Sequence, residues 1–182
     1  MRIWTLGTSS NTWPQFQHLL DRHGIGCLVD VRSFPRSRLP HFNRAILRVS
    51  LNRVGISYLH LPDLGGRPRS GPDRFADMAQ TPTFLAGIDT LLEIATRTRL
   101  ALVCSEGENC DCHRFLLVAR HLTALGTEVE HIHRDGSIET QHDAEERLLA
   151  RTKVKPDLLR SREERLAEAY HRQEQRLRGE PA

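Results

Sequence analysis

Short apolar runs alternate with amphipathic stretches along the first 140 residues or so, and glycine, proline or small polar residues close most of them. Residues 2–6 alternate apolar and polar side chains and stop at Gly7-Thr8-Ser9-Ser10, which predicts a strand and a turn. A helix follows: Asn11 or Thr12 caps it, Pro14 suits its first turn, and Phe16, Leu19 and Leu20 form a stripe ending near His23-Gly24. Residues 25–31 (I-G-C-L-V-D-V) are almost continuously apolar, as in a strand buried on both faces of a parallel sheet. These three elements make a β-α-β unit with a right-handed crossover. Helix 43–54, with Ile46, Leu47, Leu51 and Val54 inward, leads to an alternating strand at 56–61. Helix 82–98 carries Phe84, Leu85, Ile88, Leu91, Leu92 and Ala95 at helical spacing. Residues 100–103 predict the next strand, 112–125 a helix ended by Gly126, and 129–133 a fifth strand. Asp135-Gly136 marks a turn to a short extra strand at 137–140.

This alternation predicts an α/β fold: a single three-layer domain with a mostly parallel sheet of about five strands. The domain is expected over residues 1–150, with residues 151–182 as a charged helical C-terminal extension. From His142 onward the apolar stripe is sparse (Leu148, Leu149, Leu158, Leu159, Leu166, Ala169, Tyr170) and Pro156 interrupts it. Such a tail packs on the domain, stays partly mobile, or serves a homodimer. In open α/β sheets ligands bind at the carboxyl ends of the strands. The irregular loops at 7–10, 32–42, 64–71 and 104–114 all leave such ends, which predicts one pocket built from four separated segments.

At 182 residues the chain is long enough for one well-formed core. It has no signal-peptide pattern at its N-terminus and no run of about 18 apolar residues, so a soluble, cytoplasmic protein without a membrane partner is expected. Four cysteines in that setting are read as reduced thiols. Charge sharpens the picture more than composition does. Residues 31–70 hold eight arginines (32, 36, 38, 44, 48, 53, 67 and 69) against the single acid Asp63, a local charge of +7. The plain alternative is a solvated basic face, but arginine forks suit phosphate, and one-sided clustering is the footprint of an anionic or nucleic-acid partner.

Candidate chemistry concentrates in C-S-E-G-E-N-C-D-C-H-R at 104–114. Three readings compete. A zinc site of Cys104, Cys110, Cys112 and His113 lacks the usual C-x2-C spacing, and the adjacency of Cys112 and His113 counts against a shared tetrahedron, so no metal or other cofactor is expected. An anion cradle with a reactive thiol would use Arg114 and the helix start. Nine residues separate Cys104 from Arg114, more than a cysteine-phosphatase-like loop has, and Cys110 is too close. The third reading makes Glu106 the reactive carboxylate, with Cys104 and Cys112 packing or tuning the site. His113 opens the helix and is a candidate acid or base. His41, His60, His131 and His133 are further candidates for the mouth. At the end of the second strand, Asp30 and Arg32 lie on one face: either an ion pair closing the sheet, or an arginine aimed at phosphate.

Taken together, T-L-G-T-S at 5–9, V-D-V-R-S-F-P-R-S-R at 29–38 with Phe42-Asn43, G-I-S-Y-L-H-L-P-D-L-G-G at 55–66, C-S-E at 104–106, C-H-R at 112–114 and H-I at 131–132 resemble the bacterial family named domain of unknown function 488. The resemblance spans roughly residues 1–150. It implies an α/β domain with a shared polar pocket and no established reaction. Cys110 falls outside the pattern. The motif positions are Asp30, Arg32, Ser33, Pro35, Ser37, Arg38, Gly65, Gly66, Cys104, Glu106, Cys112, His113 and Arg114. The expectation is an enzyme on a nucleotide or nucleic acid, a hydrolase or transferase with N-glycosidic bonds in view. Glu106, Asp30 and His113 would be catalytic. Substrate would be held by Arg32, Ser33, Arg36, Ser37, Arg38, Gly65, Gly66, Arg67, Cys104, Cys112 and Arg114. The alternatives are a DNA- or RNA-binding module without chemistry, and a thiol or metal protein using Cys104 and Cys112.

Overall fold

The structure, a computed structural model, describes residues 1–68 and 70–180; Arg69 of the basic segment lies outside the described residues. The chain order is β1 (Arg2–Gly7), α1 (Trp13–Arg22), β2 (Cys27–Asp30), α2 (Arg44–Arg53), β3 (Ser57–His60), α3 (Phe75–Met78), α4 (Pro82–Ala95) and β4 (Leu100–Cys104). A π-helical segment (Arg114–Ala119) then runs into α5 (Arg120–Ala124), followed by β5 (Glu128–Ile132), β6 (Ile138–Thr140), α6 (Gln141–Arg151) and α7 (Arg162–Arg178). One six-stranded sheet has the order β3-β2-β4-β1-β5-β6, and every pairing is parallel except β5 with β6. The element boundaries follow local chemistry. Thr12 and Gln15 form a reciprocal capping box on α1, Thr81 caps α4, and Gly126 turns the chain at φ +80° after α5.

The sheet differs from the expectation in one respect that matters for the site. β1 and β2 are not neighbours, because β4 inserts between them. Gly7 therefore pairs with Cys104, and Asp30 with Val103, which brings the exits of three strands side by side.

Alternation along the strands feeds two apolar layers. Ile3, Val29, Leu100 and Leu102 face Phe84, Ile88 and Leu91 of α4 and Leu122 of α5. On the other face Leu6, Leu28, Ala101 and Val103 meet Phe16, Leu19 and Leu20 of α1 and Leu47 and Leu51 of α2. A third cluster joins Phe115 and Leu116 to Leu148 and Leu149 of α6 and Leu166, Ala169 and Tyr170 of α7. The tail thus packs Leu148, Leu149, Leu166, Ala169 and Tyr170 of its apolar stripe against its own chain. Each large side chain fully buried this way contributes about 1.5–3 kcal/mol. Leu158 and Leu159, placed in the stripe by the sequence, stand exposed in the connection between α6 and α7. No helix among the described residues is long and apolar enough to cross a membrane.

Candidate functional site

The strand exits build a layered floor. Beyond β1 and β4 the backbone continues to pair: Thr8 N–H donates to Cys104 O at 2.8 Å and Ser9 N–H to Ser105 O at 2.9 Å. Gly7 permits this approach, since a Cβ there would sit 2.0 Å from Glu106 O. Arg114 cinches the 105–109 loop from beneath. Its guanidinium donates to Glu106 O, to Gly107 O at 3.1 Å and to Asn109 Oδ1 at 2.8 Å, and it is fully buried. Expected as a phosphate ligand, Arg114 organises the loop and does not line the cavity: its Nη1 and Nη2 are spent on carbonyl oxygens, and its Nε has no partner among the described residues.

Asp30 is likewise internal. Its carboxylate accepts from Arg32 N–H at 3.1 Å, Arg32 Nε at 2.8 Å, Arg32 Nη2 at 2.6 Å and Tyr58 OH at 2.8 Å, and it has no exposed surface. All its acceptor sites are used, so the expectation of a catalytic Asp30 gives way to a positioning role for Arg32. Burial opposes the charge on Arg32, and the bonds from Asp30 more than offset it, so its pKa is raised. Arg32 is 3% exposed, and its Nη1 has no hydrogen-bond partner among the described residues.

Next to this pair, Cys104, Cys112 and His113 converge. His113 Nε2 lies 3.0 Å from Val31 O and must be the protonated nitrogen there, because a carbonyl only accepts. Nδ1 then faces Cys104 Sγ at 3.6 Å and Cys112 Sγ at 3.9 Å. Both ring nitrogens, of a residue expected to carry protons to a substrate, are thus engaged inside the protein. The adjacency of Cys112 and His113 is accommodated by the backbone. Cys112 is extended (φ −132°, ψ 138°) and His113 begins the helix (φ −59°, ψ −26°), so the two side chains turn to one side. A hydrogen bond from Cys112 holds the Cys104 thiol well below its usual range despite burial, with His113 and Arg114 adding to the effect. Burial and the neighbouring Cys104 push Cys112 well up. Burial works against a charge on His113, but the Cys104 thiolate outweighs it and raises the imidazole. The trio thus favours the thiolate at Cys104 and the charged ring at His113 more than free side chains do, and disfavours a thiolate at Cys112. The same three ligand atoms, all within 4.8 Å of one another, are the residues able to hold a metal. Cys110 is apart: buried, pushed up to about 11 chiefly by burial, and packed in the third apolar cluster.

These groups form the base of a cavity of about 870 Å³ lined also by Arg32, Ser33, Arg36, Gly66, Arg67 and Glu106. That volume is in the range of small-molecule sites. Gly66 is required against the base, since a Cβ would lie 2.6 Å from His113 Cβ. Ser33 Oγ accepts from Arg67 N–H at 3.0 Å and joins two of the loops. Gly65 belongs to a neighbouring cavity of about 600 Å³ that shares Ser33 and Arg67. Ser37 shapes its own turn by accepting from Leu39 N–H, and neither Ser37 nor Arg38 lines the 870 Å³ cavity. His131, a candidate for the mouth, is instead buried between Thr5 and Gln141, and burial lowers its pKa to about 3.

One wall was not anticipated. Asp73, Phe75, Glu174, Leu177, Arg178 and Glu180 also line the cavity, so the C-terminal helix closes a site otherwise made of strand-exit loops. Phe34, 51% exposed, adds an aromatic face. A tail's contacts leave no local pattern; the only sequence signal was the sparse apolar stripe of α7. Five carboxylates line the cavity: Asp73, Glu106, Asp111, Glu174 and Glu180. Four pair with arginine: Asp73 and Glu174 with Arg178, Asp111 with Arg151, and Glu180 with Arg74. Of these five, Glu106 alone has no ion-pair partner among the described residues.

The family described as "Domain of unknown function DUF488" matches residues 12–121, more than half of the chain, and the chain belongs to it. The match takes in the loops after β2 and β3 and both the C-S-E and C-H-R motifs, whereas T-L-G-T-S and His131-Ile132 lie outside it. No curated protein and no solved structure matches the chain.

Proposed function

We propose that this member of the domain of unknown function 488 family is an enzyme that binds a nucleotide or nucleic-acid strand at the sheet's carboxyl edge. Polar chemistry, hydrolysis or group transfer, is carried out there by Glu106. The observation that carries the reading is the charge pattern of the cavity. Four lining carboxylates are ion-paired with three arginines, while Glu106 stands unpaired in the same cavity as Arg36 and Arg67, which have no acid at ion-pair distance among the described residues. Arg32, held rigid by Asp30, adds a third cation with a free donor. Guanidinium groups suit phosphate oxygens, and an aromatic face such as Phe34 suits a base. The shared edge with the second cavity favours a ligand longer than one nucleotide.

The test is Glu106→Gln. With labelled mononucleotides and single- and double-stranded oligonucleotides as probes, the variant should bind like the parent while product formation falls by about 10²–10⁴-fold, the usual weight of a general acid or base. Unchanged turnover removes Glu106 from the chemistry. Affinity that is insensitive to salt, or absent for every probe, removes the phosphate-bearing ligand.

A further inference from the structure

We propose that Cys104, Cys112 and His113 bind one tetrahedral transition-metal ion of the zinc class, with the fourth position left to water or substrate. Bond lengths of about 2.3 Å to sulfur and 2.0–2.1 Å to nitrogen put the sulfur–nitrogen edges of a zinc tetrahedron at about 3.6 Å. The two sulfur–nitrogen edges here measure 3.6 and 3.9 Å, at or slightly above that spacing, and all three donor atoms lie within 4.8 Å of one another. The supporting bond is also in place. A metal-bound imidazole ordinarily donates its other N–H to a carbonyl or carboxylate, and His113 Nε2 does so to Val31 O. Two thiolates and an imidazole are soft donors that select zinc-like ions over magnesium or calcium. Two thiolates also cancel a divalent charge, so the nearby Arg32 and Arg114 face a neutral centre.

Cys110 takes no part, because its sulfur lies 4.0 Å from Ala144 O in a different cluster. Three protein ligands rather than four is the pattern of an open, working site. Cys104, Cys112 and His113 line the same cavity as Glu106. An ion there would act as a Lewis acid or lower the pKa of a bound water. That catalytic use rests on the function proposed above; the metal site itself does not.

The experiment is a titration of the full chain, stripped with a chelator, with Co(II) and then Zn(II). One equivalent of Co(II) should give thiolate charge-transfer absorption of two-thiolate intensity and the visible bands of a tetrahedral ion, and zinc should displace it. Cys104→Ser and Cys112→Ser should each weaken binding by more than the roughly 10–100-fold that losing a supporting partner costs. Cys27→Ser and Cys110→Ser should leave it unchanged. Absence of the cobalt spectrum in the parent protein overturns the site, whether or not the variants fold; so does binding that survives Cys104→Ser or falls equally with Cys110→Ser. Oligonucleotide binding by the stripped protein separates the two proposals, since it persists if only the metal site fails.

Discussion

The arginines of residues 31–70 and those of residues 147–178 share a side chain and differ in surroundings. Six of the eight in 147–178, Arg147, Arg151, Arg160, Arg162, Arg172 and Arg178, meet a carboxylate; Arg165 and Arg176 have none at ion-pair distance among the described residues. In the earlier segment only Arg32 meets a carboxylate among the described residues, and its partner Asp30 is completely buried. Arg36 and Arg67 stand at the cavity without one. Most of the paired C-terminal arginines tie α6 and α7 to each other or to the domain. The arginines of 31–70 leave positive charge available for a ligand. Equal arginine content therefore says little until each partner is known.

Breaking the contrast at its most buried point should cost most. Asp30→Ala strands Arg32 as an unpaired internal charge, and denaturant unfolding should show a loss of about 3–5 kcal/mol. If the loss is under about 1 kcal/mol, the pair is not the rigid mount described here. The C-terminal region should be the more sensitive to acid. His131 accepts from Thr5 Oγ1 and donates to Gln141 Oε1, which in turn is bonded through its amide to Tyr170 of α7. Its native pKa, lowered to about 3 by burial and then by Arg114, lies far below the unfolded value of about 6.5. Below about pH 6.5 the unfolded chain takes up a proton that the native state refuses, so this contribution falls with pH and is down by about 2 kcal/mol at pH 5. His131→Asn should flatten the slope of stability against pH between 6.5 and 5; an unchanged slope assigns acid sensitivity elsewhere.

Smaller effects test the comparison most directly. Arg36→Ala and Arg67→Ala should each lower oligonucleotide affinity several-fold, and each should reduce the log–log salt slope by about 0.7–0.9. Arg160→Ala, which removes a paired surface arginine, should change neither that slope nor the denaturation midpoint measurably. If Arg160 matters to binding as much as Arg67, the division between the two groups collapses.

Much of this was legible before any coordinates. Apolar alternation, Gly7, Gly126 and the caps define where strands and helices begin and end, because those signals act over a few residues. The gathering of Arg32, Arg36, Arg67, Glu106 and Cys104 around one cavity also followed from loops at strand ends. The roles inside that cavity did not. Whether Asp30, His113 and Arg114 face a substrate or the protein depends on hydrogen bonds to Tyr58, Val31 O and the 105–109 loop, all made by segments distant in sequence or by backbone turned back on itself.

The chain's own residues thus determine an α/β domain, a basic segment and a cysteine- and acid-rich loop at a strand end. Only the tertiary structure decided that β4 divides β1 from β2, that Cys112 and His113 turn together toward Cys104, and that α7 walls the cavity and pairs two of its acids with Arg178. The reason is range. Propensity, capping and period are properties of neighbouring residues, whereas strand order and the satisfaction of a buried charge are settled by which distant surfaces pack together.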